Sequence, residues 1–196
     1  MNKISNGVYI LHESLGVKTV EDWNPKNNKG AIGILLIEDE HKIVVALENS
    51  PKKLNWSKEL VLGANRPVVE IEDAESDFNG EEYCKNLNSP NYPAAYYCLN
   101  YKKGGRSWYL PSSGELWLIY NHLEEIQTAL STVEGQRLVN KLSYDFPCYW
   151  SSTESGVPYA WHLYLTYNER GYLGWHNKVS NTCNCKVRPI SKFNIN

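Results

Sequence analysis

Apolar and polar positions change their period twice along the chain, and the changes divide it into three parts. In "NGVYIL" (6–11) and "GAIGILLIEDEHKIVVALE" (30–48) the apolar residues are mostly aliphatic and come in blocks of strand length. The pattern predicts a strand at 6–11 and two more around the turn Glu38-Asp39-Glu40-His41. The first of that pair is a continuous apolar run, which predicts burial on both faces. From Asn49 to Gly80 no period holds. Prolines, asparagines, glycines and the acidic cluster "EIEDAESD" (70–77) predict an irregular, solvated segment there. The carboxylate spacing in the cluster matches no EF-hand, so no calcium site is expected in it.

Helical spacing begins near Phe78, with Phe78, Tyr83 and Leu87 in phase. Pro93 suits a first helical turn, and Ala94, Tyr97, Cys98 and Tyr101 follow at helical spacing until "KKGG" (102–105) stops it. In "LPSSGELWLIYNHLEEI" (110–126), Ser112 stands three residues before Glu115, a capping box that predicts a helix from about Ser113. Leu116, Ile119, Tyr120 and Leu123 then share a face, and Gly135 is expected to end the next short helix or turn. From Tyr149 the period returns to two. Strands, helices, strands in that order predict an α+β domain whose sheet is closed by both chain ends.

The last part carries the candidate chemistry. In "AWHLYLTY" (160–167), Trp161, Leu163 and Leu165 point one way and His162, Tyr164 and Thr166 the other. After the turn "NERG" (168–171), Leu173 and Trp175 continue the apolar phase, and Tyr172, Gly174 and His176 the polar one. A two-stranded ribbon therefore predicts Trp150, Trp161, Leu163 and Trp175 in the core. It predicts a ligand-binding face of His162, Tyr164, Thr166, Tyr172 and His176, with Asn168 and Arg170 at the turn and Lys178 beyond it. Tyrosine and histidine on rigid strands offer stacking and hydrogen bonding at low entropic cost, as antibody combining sites do. The plainer alternative is a solvated sheet face with scattered tyrosines.

Composition narrows the partners. With 196 residues and 42% hydrophobic content the chain suits one domain, spanning 1–196, with a real core. A net charge of -2 gives no basic surplus for nucleic acid. The longest apolar stretch, "AIGILLI", is far short of a membrane span. "MNKISNGVYILHES" lacks the apolar run of a secretory leader, so the expected setting is the cell interior, an exterior reached by another route such as a phage particle, or an exterior reached with a leader outside this sequence. The cysteines, Cys84, Cys98, Cys148, Cys183 and Cys185, are odd in number and not spaced as a small disulfide scaffold, which predicts mostly free, partly buried thiols. Cys183 and Cys185 would share a strand face near His176, but the local sequence supplies no further ligand pair, so no metal and no cofactor are expected. Capping explains Glu115, no G-x-S-x-G occurs, and Gly104-Gly105 precedes no G-K-[ST], so no enzyme is expected. Arg188 lies in a core-like strand and is expected to meet buried carbonyl or carboxylate groups rather than substrate.

Four motifs in order, "GGRSWYLPSSGEL", "YWSST", "AWHLYL" and "KVRPI", resemble the bacterial C-type-lectin-like domains of the Fibrobacter-type major paralogous family. The likeness covers 81–193; 6–80 is a strand-rich N-terminal part. The resemblance implies a C-type-lectin-like fold: paired N- and C-terminal strands, two flanking helices and long irregular loops that present a binding face. Related folds include formylglycine-generating enzymes and the variable proteins of diversity-generating retroelements. The chain has no "EPN", "QPD" or "WND", so calcium-dependent sugar chelation is not implied. A surface-adhesion or phage receptor-binding module for a protein or carbohydrate ligand follows from the likeness. The alternatives are a thiol enzyme using Cys183 or Cys185, and a structural domain of a larger appendage.

Overall fold

The computed structural model describes residues 4–14, 16–63, 66–139, 147–166, 170–179 and 185–194. The chain is α+β, with two sheets and five α-helices among the described residues. Strands β1 (Gly7–His12), β2 (Gly16–Lys18), β3 (Ala31–Glu38) and β4 (His41–Ala46) pair antiparallel in the order β2-β1-β3-β4. The hairpin between β3 and β4 turns where expected. Asp39 takes a left-handed φ of 52°, a conformation aspartate tolerates, and exchanges two 3.0 Å hydrogen bonds with the Asn6 side chain. Strand β3 is buried on both faces, as its apolar run predicts. One face joins the main core; the other packs with Leu11, Val44, Ala46 and Trp108.

Five helices follow: α1 (Ile71–Glu75), α2 (Gly80–Asn86), α3 (Pro93–Leu99), α4 (Ser113–Asn121) and α5 (Leu123–Thr132). The capping box at α4 is present: the Ser112 backbone N–H donates to Glu115 Oε2 at 2.8 Å. The second sheet runs β7 (Gly171–Asn177), β6 (Tyr159–Leu165), β5 (Cys148–Glu154), β8 (Cys185–Lys186), with β8 parallel to β5. Helix α5 packs on β1 and β3, and α4 packs on β5, β6 and β7, so one apolar core spans both sheets.

Two expectations are corrected. The terminal strands do not pair with each other: β9 (Ile190–Lys192) pairs with β4, so β3 and β4 separate it from β1 within one five-stranded sheet. Both chain ends do reach the same sheet. The acidic stretch 70–77 is not wholly a solvated loop, since 71–75 is helical and Asp77 is buried. Asp77 accepts from Thr153 Oγ1 at 2.7 Å and from Tyr83 at 3.1 Å, and its carbonyl accepts from Gly114 N–H at 3.0 Å. Ser113 Oγ donates to the Ala74 carbonyl at 2.7 Å, and Ser113 N–H to Thr153 Oγ1 at 2.9 Å. The "PSSGE" and "WSST" motifs thus meet in one buried knot that ties α1 and α4 to β5. A side chain at Gly114 would strike the Asp77 and Glu75 backbone, so that position requires glycine. Buried polar groups this fully paired fix the relative placement of the elements they join.

Candidate ligand-binding face and a cysteine–histidine cluster

Strands β6 and β7 pair antiparallel, with Trp161 opposite Trp175, Leu163 opposite Leu173 and Tyr164 opposite Tyr172, and Gly171, expected in the turn, is the first residue of β7. The alternation is therefore as read: one side of the ribbon faces helix α4, and the other carries His162, Tyr164, Tyr172 and His176. Trp150, Trp161 and Leu163 are buried, and Trp161 anchors itself by donating to the Val68 carbonyl at 2.7 Å.

Trp175 departs from the expectation. It is 54% exposed and lies against the Tyr159 ring, with centroids 4.7 Å apart. Alternation assigns a side of the sheet but not what covers it, and β7 is an edge strand.

The opposite side divides into an outer and an inner zone. Tyr172 is 53% exposed and Tyr164 half-buried, their rings 5.2 Å apart and tilted 36°. Beside them Arg170 is exposed. The Thr166 hydroxyl is engaged in the turn, donating to the Arg170 carbonyl at 3.0 Å and accepting from its N–H at 3.1 Å. Asn168 lies outside the described residues. The outer zone is thus a tyrosine pair on the two strands, near a turn whose ends, Thr166 and the exposed Arg170, are joined by hydrogen bonds.

The inner zone is covered. His162 is 7% exposed, which corrects the expectation that it lies on the open face, whereas His176 is half-buried and stays partly exposed as expected. The cover is the irregular segment 49–63, which crosses this side of the sheet. Ser50, Leu54 and Trp56 donate backbone hydrogen bonds to Val187, Cys185 and Lys178, and Trp150 donates to the Leu54 carbonyl at 2.7 Å. Lys178 is also removed from the face. It is fully buried, paired with Glu154 and bonded to the Val61 carbonyl at 2.9 Å, with its ammonium 4.6 Å from the Trp56 ring. No local pattern marks a segment as a cover, because its apolar contacts lie about a hundred residues away.

Beneath that cover lies a group that local spacing did not reveal. The parallel β5–β8 pairing places Cys148 opposite Cys185, and the two form a disulfide. The expectation of mostly free thiols therefore fails for this pair. It holds for Cys84 and Cys98, which are free and buried, and Cys183 lies outside the described residues. One ring nitrogen of His162 lies within 4.8 Å of both sulfurs. The His162 and His176 rings are 6.2 Å apart, and both stand edge-on to Trp150. Nδ1 of each histidine is buried with no hydrogen-bond partner. Burial, and secondarily the neighbouring His176, lowers the His162 pKa to about 4 and keeps its ring neutral.

Two further charged groups serve the scaffold. Arg188 is fully buried and donates to Asn49 Oδ1, the Ala46 carbonyl and the Gln136 carbonyl at 2.6–2.8 Å, the carbonyl partnership expected of it. Glu115 borders a cleft with His41, Phe78, Lys192 and Phe193, but its oxygens are engaged by Ser112 and by the Tyr109 hydroxyl at 2.7 Å. Comparison with models of known protein families, with curated proteins and with solved structures gave no match.

Proposed function

We propose that the protein is a non-enzymatic binding module of C-type-lectin-like type, which meets a carbohydrate or protein component of a cell surface through the outer zone of the β6–β7 ribbon. The observation that carries this reading is the Tyr164–Tyr172 ring pair, Tyr172 exposed and Tyr164 half-buried, set by the β6–β7 register. Exposed rings held by a rigid sheet lose little entropy on binding and provide both an apolar face and a hydroxyl. Arg170 adds a planar donor for a carboxylate, carbonyl or hydroxyl group. The exposed Tyr159–Trp175 pair lies across the same ribbon and offers a second aromatic platform at its edge. The four motifs that resemble that family support the fold reading, and two of them, "PSSGE" and "WSST", have a scaffold role in the polar knot.

A glycan array and a cell-binding assay with the wild-type protein and the Tyr164→Ala/Tyr172→Ala variant test this reading. Loss of at least tenfold in affinity with an unchanged melting temperature is expected, since exposed aromatic anchors carry a large share of binding energy. Binding that survives both substitutions and is lost only with Trp175→Ala would move the site to the edge platform.

A further inference from the structure

We propose that Cys148 and Cys185, when reduced, form with His162 and His176 a binding site for a thiophilic divalent cation of the zinc type, so that the β5–β8 junction has two alternative locks. The first lock is the disulfide seen here. The second keeps the fold, because three of its ligands, Cys148, Cys185 and His162, already converge, and His176 is the nearest candidate for the fourth. A ring nitrogen of His162 lies within 4.8 Å of both sulfurs, and the His176 ring is 6.2 Å from that of His162.

The histidines supply the independent evidence. A buried nitrogen without a partner is unfavourable, and native interiors rarely leave one. Here two occur on neighbouring rings, both edge-on to the same indole, and one of them, His162, adjoins the cysteine pair. An apolar pair of rings would fill this space without that penalty. A cation with two thiolates and two imidazoles is the usual tetrahedral zinc set, and two thiolate charges neutralise the metal inside a buried pocket. The proposal does not depend on which ligand the outer face takes.

The chemistry balances as follows. A thiol reductant transfers two electrons and two protons to the disulfide, breaking the S–S bond and leaving two thiols while the reductant is oxidised. The divalent cation then binds both sulfurs and displaces both protons to solvent. Reoxidation by a disulfide oxidant, which takes up the two electrons as its own S–S bond is reduced to two thiols, re-forms the Cys148–Cys185 bond and releases the metal, because a disulfide sulfur is no longer a thiolate ligand.

The position of the cluster links this chemistry to the ribbon. Cys148 is the register partner of Tyr164, and His176 lies four residues beyond Tyr172 on the neighbouring strand. Either lock therefore fixes the floor under the tyrosine pair.

The test is titration of the full chain with cobalt(II) and zinc(II), after reduction with a phosphine that does not itself chelate, and again in the oxidised state. One equivalent of cobalt is expected to bind the reduced protein with thiolate-to-metal charge-transfer absorption, and none to bind the oxidised protein. Zinc should displace the cobalt and shield Cys148 and Cys185, identified by peptide mass spectrometry, from alkylation. His162→Asn and His176→Asn should each weaken binding at least tenfold. Should either variant fail to fold, the alkylation map of the wild-type protein decides. No stoichiometric cobalt binding by the reduced protein, or protection confined to Cys84 and Cys98, overturns the site. Weakening by His162→Asn but not by His176→Asn removes His176 as the fourth ligand and leaves the other three.

Discussion

Glu115 shows at the level of one residue how a capping motif becomes a buried titrating group. Its carboxylate accepts from Ser112 and Tyr109, yet burial dominates and raises its pKa to about 7. The folded-state pKa thus lies above the unfolded one. From about pH 4.5 the unfolded chain loses this proton while the native chain retains it, so stability falls as pH rises toward 7. Glu115→Gln removes that slope while keeping an oxygen for the Ser112 N–H. The expected result is that the difference in unfolding free energy between variant and wild type shifts in favour of the variant from pH 4.5 to 7, by on the order of 3 kcal/mol. Denaturant titrations at several pH values measure it, and a difference independent of pH would contradict the assignment. The Ser112-to-Glu115 spacing was visible in the sequence. The raised pKa was not, because it comes from the packing of β9, α2 and Tyr109 around the carboxyl group.

Among the elements, helix α5 ends in a way the sequence half describes. Gly135 was expected to terminate it, and its N–H does reach the Leu130 carbonyl at 2.7 Å. The left-handed position falls one residue earlier, on Glu134 with φ 58°, a conformation that costs a non-glycine residue about 1 kcal/mol. Glu134→Gly is therefore expected to raise stability by up to roughly 1 kcal/mol, less the greater entropy of glycine in the unfolded chain. A thermal melt that moves downward would contradict this. The β6–β7 ribbon makes a sharper comparison. Trp161 and Trp175 are register partners on one side of the sheet, yet only Trp161 is buried. Trp161→Ala should cost about 3–5 kcal/mol and Trp175→Ala less than about 1 kcal/mol. Period two identified the sides of the paired β6 and β7 residues, but it grouped Trp150 with Trp161, whereas Trp150 is the register partner of His162 and is buried on the histidine side. It could not show that Trp175, on edge strand β7, is left uncovered, or that segment 49–63 crosses the histidine side, because cover is a tertiary property carried by residues far off in sequence.

At the scale of the whole molecule, the parts that sequence reading left irregular hold the two sheets together. Arg188 joins β4, segment 49–63 and the stretch after α5 through three side-chain hydrogen bonds. The Lys178–Glu154 pair does the same at the far end of β7. Glu154 accepts from the Gly63 N–H at 2.7 Å, and Lys178 donates to the Val61 carbonyl, so one buried ion pair pins the cover segment to β5 and to the end of β7. Burial lowers the Lys178 pKa and the Glu154 partner opposes that change. Removing either member leaves a buried charge without its counterion, which typically costs 3–5 kcal/mol, whereas removing both charges together is far milder. Lys178→Met and Glu154→Gln should each be strongly destabilising alone, and the double variant should recover at least about 2 kcal/mol of their summed loss. Glutamine at 154 can still accept from Gly63, so the recovery isolates the charge pairing from that hydrogen bond. Hydrogen exchange supplies the structural readout: in each single variant the Trp56 and Gly63 amides should lose protection before those of β3. Strict additivity of the two free-energy changes, or uniform loss of protection across the chain, would show that the pair does not hold the cover over the cysteine–histidine cluster.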